Sequence, residues 1–171
     1  KANPGWHRWF NPENHAYDGH LNCSRFAVSE LAVFDFITMN NDRSPNKNNF
    51  VAGGCKKCER RRPSGTVPTF VHLDQGMAFY GSSRLLHNPL GKSDKKNTFC
   101  IFYRPLVEKL RAVAEEGTDK WFEHVEDLTP AVALDVLGRD KLRVMGKQID
   151  RVVARVDHCL GLFPATVVLG P

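Results

Sequence analysis

Two short stretches carry residues able to do chemistry: Val33-Phe-Asp-Phe-Ile-Thr-Met-Asn-Asn-Asp-Arg43 and Val71-His-Leu-Asp-Gln-Gly76. Each sets an acid beside a very apolar run, Asp42 after a buried-looking helix and Asp74 at the end of a strand-like one. Two carboxylates brought to one cleft by rigid elements are what phosphoryl transfer needs. One orients or deprotonates an acceptor hydroxyl, and the other holds a divalent cation against the phosphates. The competing reading is structural, because Asp is a default turn residue.

Composition bounds the answer. A chain of 171 residues, 42% apolar and 25% charged, suits one globular domain with a real core. No run approaches the about 18 apolar residues of a membrane span, and Lys1-Ala-Asn-Pro-Gly5 is not followed by the apolar stretch of a signal peptide. The expectation is therefore no membrane span, and a processed or excised form if the protein is exported. The net charge of +5 is concentrated at Lys56-Lys57 and Arg60-Arg61-Arg62, with Lys92, Lys95 and Lys96 behind. Such a run is a solvated loop, or else a contact for phosphate, sulfated glycan or acidic protein. Nucleic acid is not expected, since no aromatics interleave the basic clusters for stacking.

Cysteines occur at 23, 55, 58, 100 and 159. Cys55-x-x-Cys58 is half a zinc site with no second half, and its basic loop lacks the strand–helix setting of a redox pair. Asn22-Cys23-Ser24 is an N-glycosylation sequon, a pattern short enough to occur by chance.

The elements that must position the two acids are legible in outline. Residues 1–22 read as irregular structure pinned by Trp6, Trp9, Phe10 and Tyr17; His7, His15 and His20 there lack the helical spacing of a metal pair. Ser24 can N-cap a helix to about Asn40 that is apolar nearly all round through Val28, Leu31, Ala32, Phe34, Phe36 and Ile37. A buried strand over 31–38 is the alternative. Asn40 to Asn49 reads as a loop, followed by a Gly, Pro and basic insertion at 50–68. Thr69–Leu73 and Ala78–Tyr80 read as a β-hairpin with Asp74 at its turn. Pro105 opens a helix with Leu106, Val107, Leu110 and Val113 on one face, stopped by Gly117. Trp121, Phe122 and Val125 suggest a second helix, and Thr129-Pro130 an N-cap and first-turn proline for a third that ends at Gly138. The last, about 139–160, carries Leu142, Met145, Ile149, Val152, Val153, Val156 and Leu160 on one stripe.

Taken together, F-D-F-I-T-x-N-x-D-R, then L-D-Q-G and the aromatic-glycine run Phe79-Tyr80-Gly81 resemble the C-terminal lobe of the four-jointed and Golgi casein kinase family, atypical kinases of the secretory pathway. The likeness runs from about Cys23 to Cys159. It implies a mainly α fold with a small β-hairpin, of the protein-kinase C-lobe type, over residues 23–171. It also implies Asp42 as the catalytic-loop acid, Asp74 as the ligand of Mg²⁺ or Mn²⁺ on ATP, and a disulfide between Cys100 and Cys159. Asn46 and Asn48 lie near the second metal position, but the residue five after Asp42 is Lys47, whose ammonium cannot ligate a cation. Arg43 is left to pair with an acid or a phosphate. The implied compartment is the Golgi lumen or the outside of the cell. No Gly-x-Gly-x-x-Gly loop is present in the chain, so an N-lobe or second polypeptide is the expected partner for transfer to Ser or Thr of exported proteins. The alternative is a non-catalytic pseudokinase or lectin-like module, binding glycan or protein through loop 56–62.

Overall fold

The structure is a computed structural model that describes residues 7–13, 21–43, 47, 50–51, 70–72, 75–79, 85, 88–91 and 99–169. It is mainly helical. A 3-10 turn at His7–Phe10 leads to α1 (Leu21–Ile37), then strands β1 (Phe50–Val51) and β2 (Phe70–Val71). Five helices follow: α2 (Arg104–Glu116), α3 (Thr118–Leu128), α4 (Ala131–Leu137), α5 (Arg139–Leu162) and α6 (Ala165–Val168).

α1 is the helix expected, not the alternative strand, but it starts at Leu21, so Asn22, Cys23 and Ser24 lie in its first turn and Ser24 does not cap it. Its buried residues Phe26, Ala27, Leu31, Ala32, Val33 and Phe36 face several sides, as an apolar helix wrapped by core must. Phe34 departs from the expectation: it is 37% exposed and meets His72 edge-on at 4.7 Å between ring centroids. The expected hairpin is a different pairing. Phe70–Val71 runs antiparallel to Phe50–Val51, the first two residues of the expected insertion, and Gly76–Phe79 is turn. The two strands make a two-stranded sheet of two residues each.

The C-terminal half follows its local signals closely. Pro105 sits in the first turn of α2, where its missing N–H costs nothing, and Val107 and Leu110 are buried. Gly117 and Gly138, at φ 93° and 81°, separate α2 from α3 and α4 from α5; a side chain at either would be forced into left-handed backbone. Thr129 closes α3 instead of capping α4: its hydroxyl donates to Val125 O at 2.5 Å, and Pro130 precedes the first residue of α4. Along α5 the buried stripe Leu142, Ile149, Val152, Val156 and Cys159 meets α1, α2 and α3, while Arg143, Lys147, Asp150 and Arg151 are exposed.

The extended segment before α2 ties these layers together. Cys100 N–H donates to Phe10 O at 2.8 Å, and Phe102 N–H to Val168 O at 2.7 Å. The Phe10 and Phe99 rings stack at 4.3 Å. Both are fully buried, which contributes roughly 1.5–3 kcal/mol each. Cys100 is disulfide-bonded to Cys159 with Cα atoms 5.4 Å apart, the pairing that the resemblance implied.

Candidate functional site

The site is built on how α1 ends. Met39 N–H donates to Phe36 O at 3.3 Å and Asn40 N–H to Asp35 O at 2.8 Å, the two crossed bonds of a Schellman turn. Glycine is usual at the left-handed position of such a turn, but here it is Met39, at φ 57°. Forcing an L-residue there costs about 1–2 kcal/mol. The turn sends the chain back along α1, so that Arg43 Nε reaches Asp35 Oδ2 in a buried ion pair, both side chains 2% exposed. A carboxylate inside an apolar helix demands such a partner. Burial pushes the Asp35 carboxyl above the usual range, against the downward pull of the Arg43 guanidinium, the Asn40 amide and the His72 charge.

Asn40 is the junction. Its Oδ1 accepts from Asp42 N–H at 3.0 Å, which shapes the loop that presents Asp42. Its Nδ2 donates to Asp35 Oδ1 at 3.3 Å and to Gln75 Oε1 at 2.9 Å. A second tie runs beside the first: Phe79 N–H donates to Thr38 O at 2.8 Å. Phe79, at φ 66°, is the other non-glycine residue in left-handed backbone among the described residues. The two strained positions therefore flank one junction, Met39 between the two residues that bond the opposite segment and Phe79 held by Thr38. Strain kept in this way clusters at binding and catalytic sites. A double-mutant cycle of Asn40→Ala and Gln75→Ala, read by urea unfolding, should give a coupling of about 1 kcal/mol; additive losses would mean that the bridge is not formed.

Asp42 is one-third exposed and paired with Lys47, itself 57% exposed. Arg43 is 3% exposed and pairs with the Asp35 carboxylate, the acid being one of the two partners that the sequence left open. Asp74, Asn46 and Asn48 lie outside the described residues, as do Lys56, Lys57, Arg60, Arg61, Arg62 and the pair Cys55 and Cys58. Among the described residues no three His, Cys, Asp or Glu side chains gather as a metal cluster. The three residues assigned to a cation are all oxygen donors, the chemistry that Mg²⁺ and Mn²⁺ prefer.

Sequence reasoning missed several members of this site. Asp35 was hidden as the one acid in an apolar run. Asn41 Oδ1 is buried without a hydrogen-bond partner, one residue before Asp42. Gln148 of α5 donates to Phe36 O at 3.4 Å and accepts from Arg151 at 2.7 Å, and that guanidinium lies 5.1 Å from the centre of the Phe36 ring. Asn88 props the same helix by donating to Ala32 O at 2.8 Å. Beside Gln75 opens an apolar groove of about 550 Å³ lined by Ala78, Phe79, Val132, Val136 and Lys141.

No protein-family model, curated protein or solved structure matches the chain. The functional reading therefore rests on the residues themselves.

Proposed function

We propose that this chain is the lower lobe of an ATP-dependent Ser/Thr protein kinase of the secretory pathway, similar to the four-jointed and Golgi casein kinase family and completed by an N-terminal lobe. The observation that supports it most is the junction at Asn40, which ties the loop of Asp42 to Gln75, the residue next to Asp74, between two strained backbone positions. Structural turns rarely need such strain at two linked places.

In this reading the acceptor hydroxyl oxygen attacks the γ-phosphorus, its proton passes to the Asp42 carboxylate, and the bond from the γ-phosphorus to the bridging oxygen breaks to leave ADP. A divalent cation at Asp74, with Asn46 or Asn48, supplies positive charge to the phosphates when bound. Asn40 and the Asp35–Arg43 pair keep the Asp42 loop in shape, because a rigid base needs no reorganisation during transfer. The Cys100–Cys159 disulfide favours an oxidising compartment. A second reading, a non-catalytic binding module, draws on the exposed Val132 and Val136 beside the groove.

Thermal unfolding of the complete polypeptide with Mn²⁺ and ATP separates the two. Nucleotide at a hundred times its dissociation constant should add about 2.7 kcal/mol of stability. Asp74→Ala should abolish that gain. A wild type that does not respond, or an Asp74→Ala variant that responds as strongly, rejects the kinase reading in favour of the binding module.

A further inference from the structure

We infer that α4 and the apolar groove beside it are the surface on which two copies of this chain pair; the inference does not rest on the kinase reading. α4 (Ala131–Leu137) is apolar at six of its seven positions, yet none of the seven is buried. Val132 and Val136, one turn apart, are 71% and 78% exposed, and Leu128 at the end of α3 is 72% exposed. A helix this short is held mainly by the packing of its apolar face. Pro130 before it and Gly138 after it break the chain into separate helices, so α4 does not borrow the length of α3 or α5. Its apolar face therefore needs a cover.

Shape, area and charge all fit a second copy. The groove of about 550 Å³ lies between α4 and the turn at Ala78 and Phe79, and Val132 and Val136 belong to its lining. An exposed apolar ridge thus stands at the edge of an apolar groove. A two-fold rotation lays the ridge of each copy in the groove of the other, so the one face is complementary to itself. Leu128, Val132 and Val136, with exposed Ala131 and Ala133, present on the order of 400 Å² of apolar surface, as large as functional patches usually are. Pairing two such faces with their groove walls buries about 1,000 Å² in total, the lower bound for a specific interface. Charge does not oppose it. Lys141 is the charged residue of the groove lining and Asp135 that of α4, one of each sign, while Arg139 at the margin pairs with Glu126 of its own copy. Like charges therefore do not accumulate across the axis.

The test is sedimentation equilibrium of the complete polypeptide at physiological salt, with wild type, Val136→Lys and Leu162→Lys compared. An interface of this size is weak, so wild type should pass from monomer to dimer with a dissociation constant on the order of 10 μM. Val136→Lys should weaken pairing about 100-fold, because symmetry buries the new charge twice. Its melting temperature, measured on dilute monomer, should stay within about 2 °C of wild type, since Val136 is open to water in the single copy. Leu162, 61% exposed at the far end of α5, serves as the control, and its lysine variant should pair like wild type. Val136→Lys pairing as tightly as wild type overturns the inference, and so does an equal loss in Leu162→Lys. Wild type that stays monomeric to about 200 μM overturns it as well; slow hydrogen exchange along α4 in that monomer would show that another part of the polypeptide covers the face.

Discussion

Arg43→Met should lower folding stability by about 3–5 kcal/mol at neutral pH, because it strands a buried carboxylate without its counter-charge. Asp35 is 1% exposed, and Arg43 is the stronger of the two side chains that hold it. The deficit should depend on pH with a definite sign. Burial already raises the Asp35 carboxyl above its ordinary 3.8, and Arg43 supplies the largest opposing pull. Without Arg43 the carboxyl rises further, so the folded state keeps a proton that the unfolded chain releases. Stability is then full below about pH 4 and is lost as pH climbs through the raised folded value. Urea titrations from about pH 7.5 to 4.5 should show the variant closing on wild type as acid is added. The double variant Asp35→Asn/Arg43→Met, with no stranded charge, should be more stable at neutral pH than Arg43→Met alone. A pH-independent deficit would mean that Asp35 is not the group left exposed to desolvation.

The paired substitution Cys100→Ala/Cys159→Ala should cost about 4 kcal/mol, for a loop closed across a sequence separation of 59. For a chain of this size that corresponds to a fall of about 8–16 °C in melting temperature. The effect is concentrated where it matters to the site. Cys159 lies on the buried stripe of α5, and the same helix carries Gln148, which props the end of α1. Loosening α5 from the 99–103 segment should therefore weaken the junction at Asn40 before α2 or α3 unfold. Hydrogen exchange would read this as earlier loss of protection at Asn40 and Phe79 than at Leu110. Wild type whose unfolding midpoint is the same with and without reductant would show that the bond is not formed in solution.

By itself the sequence determined the helices from Arg104 to Leu162 and the burial of the segment before Asp42. Those are local matters. A proline at a first turn, glycines at φ 93° and 81°, and an apolar stripe of helical period act within a few residues of themselves. Tertiary structure alone decided the rest. Phe70 meets Phe50's neighbour Val51 and not the run after Asp74, because strand pairing depends on which ends the fold brings close. Asp35 needed Arg43 across a reversing turn, and Asn40 needed Gln75 from 35 residues away. Periodicity says which side of an element is apolar. It does not say which buried polar group will find which partner, since any donor of the right reach satisfies a carboxylate, and packing chooses among them.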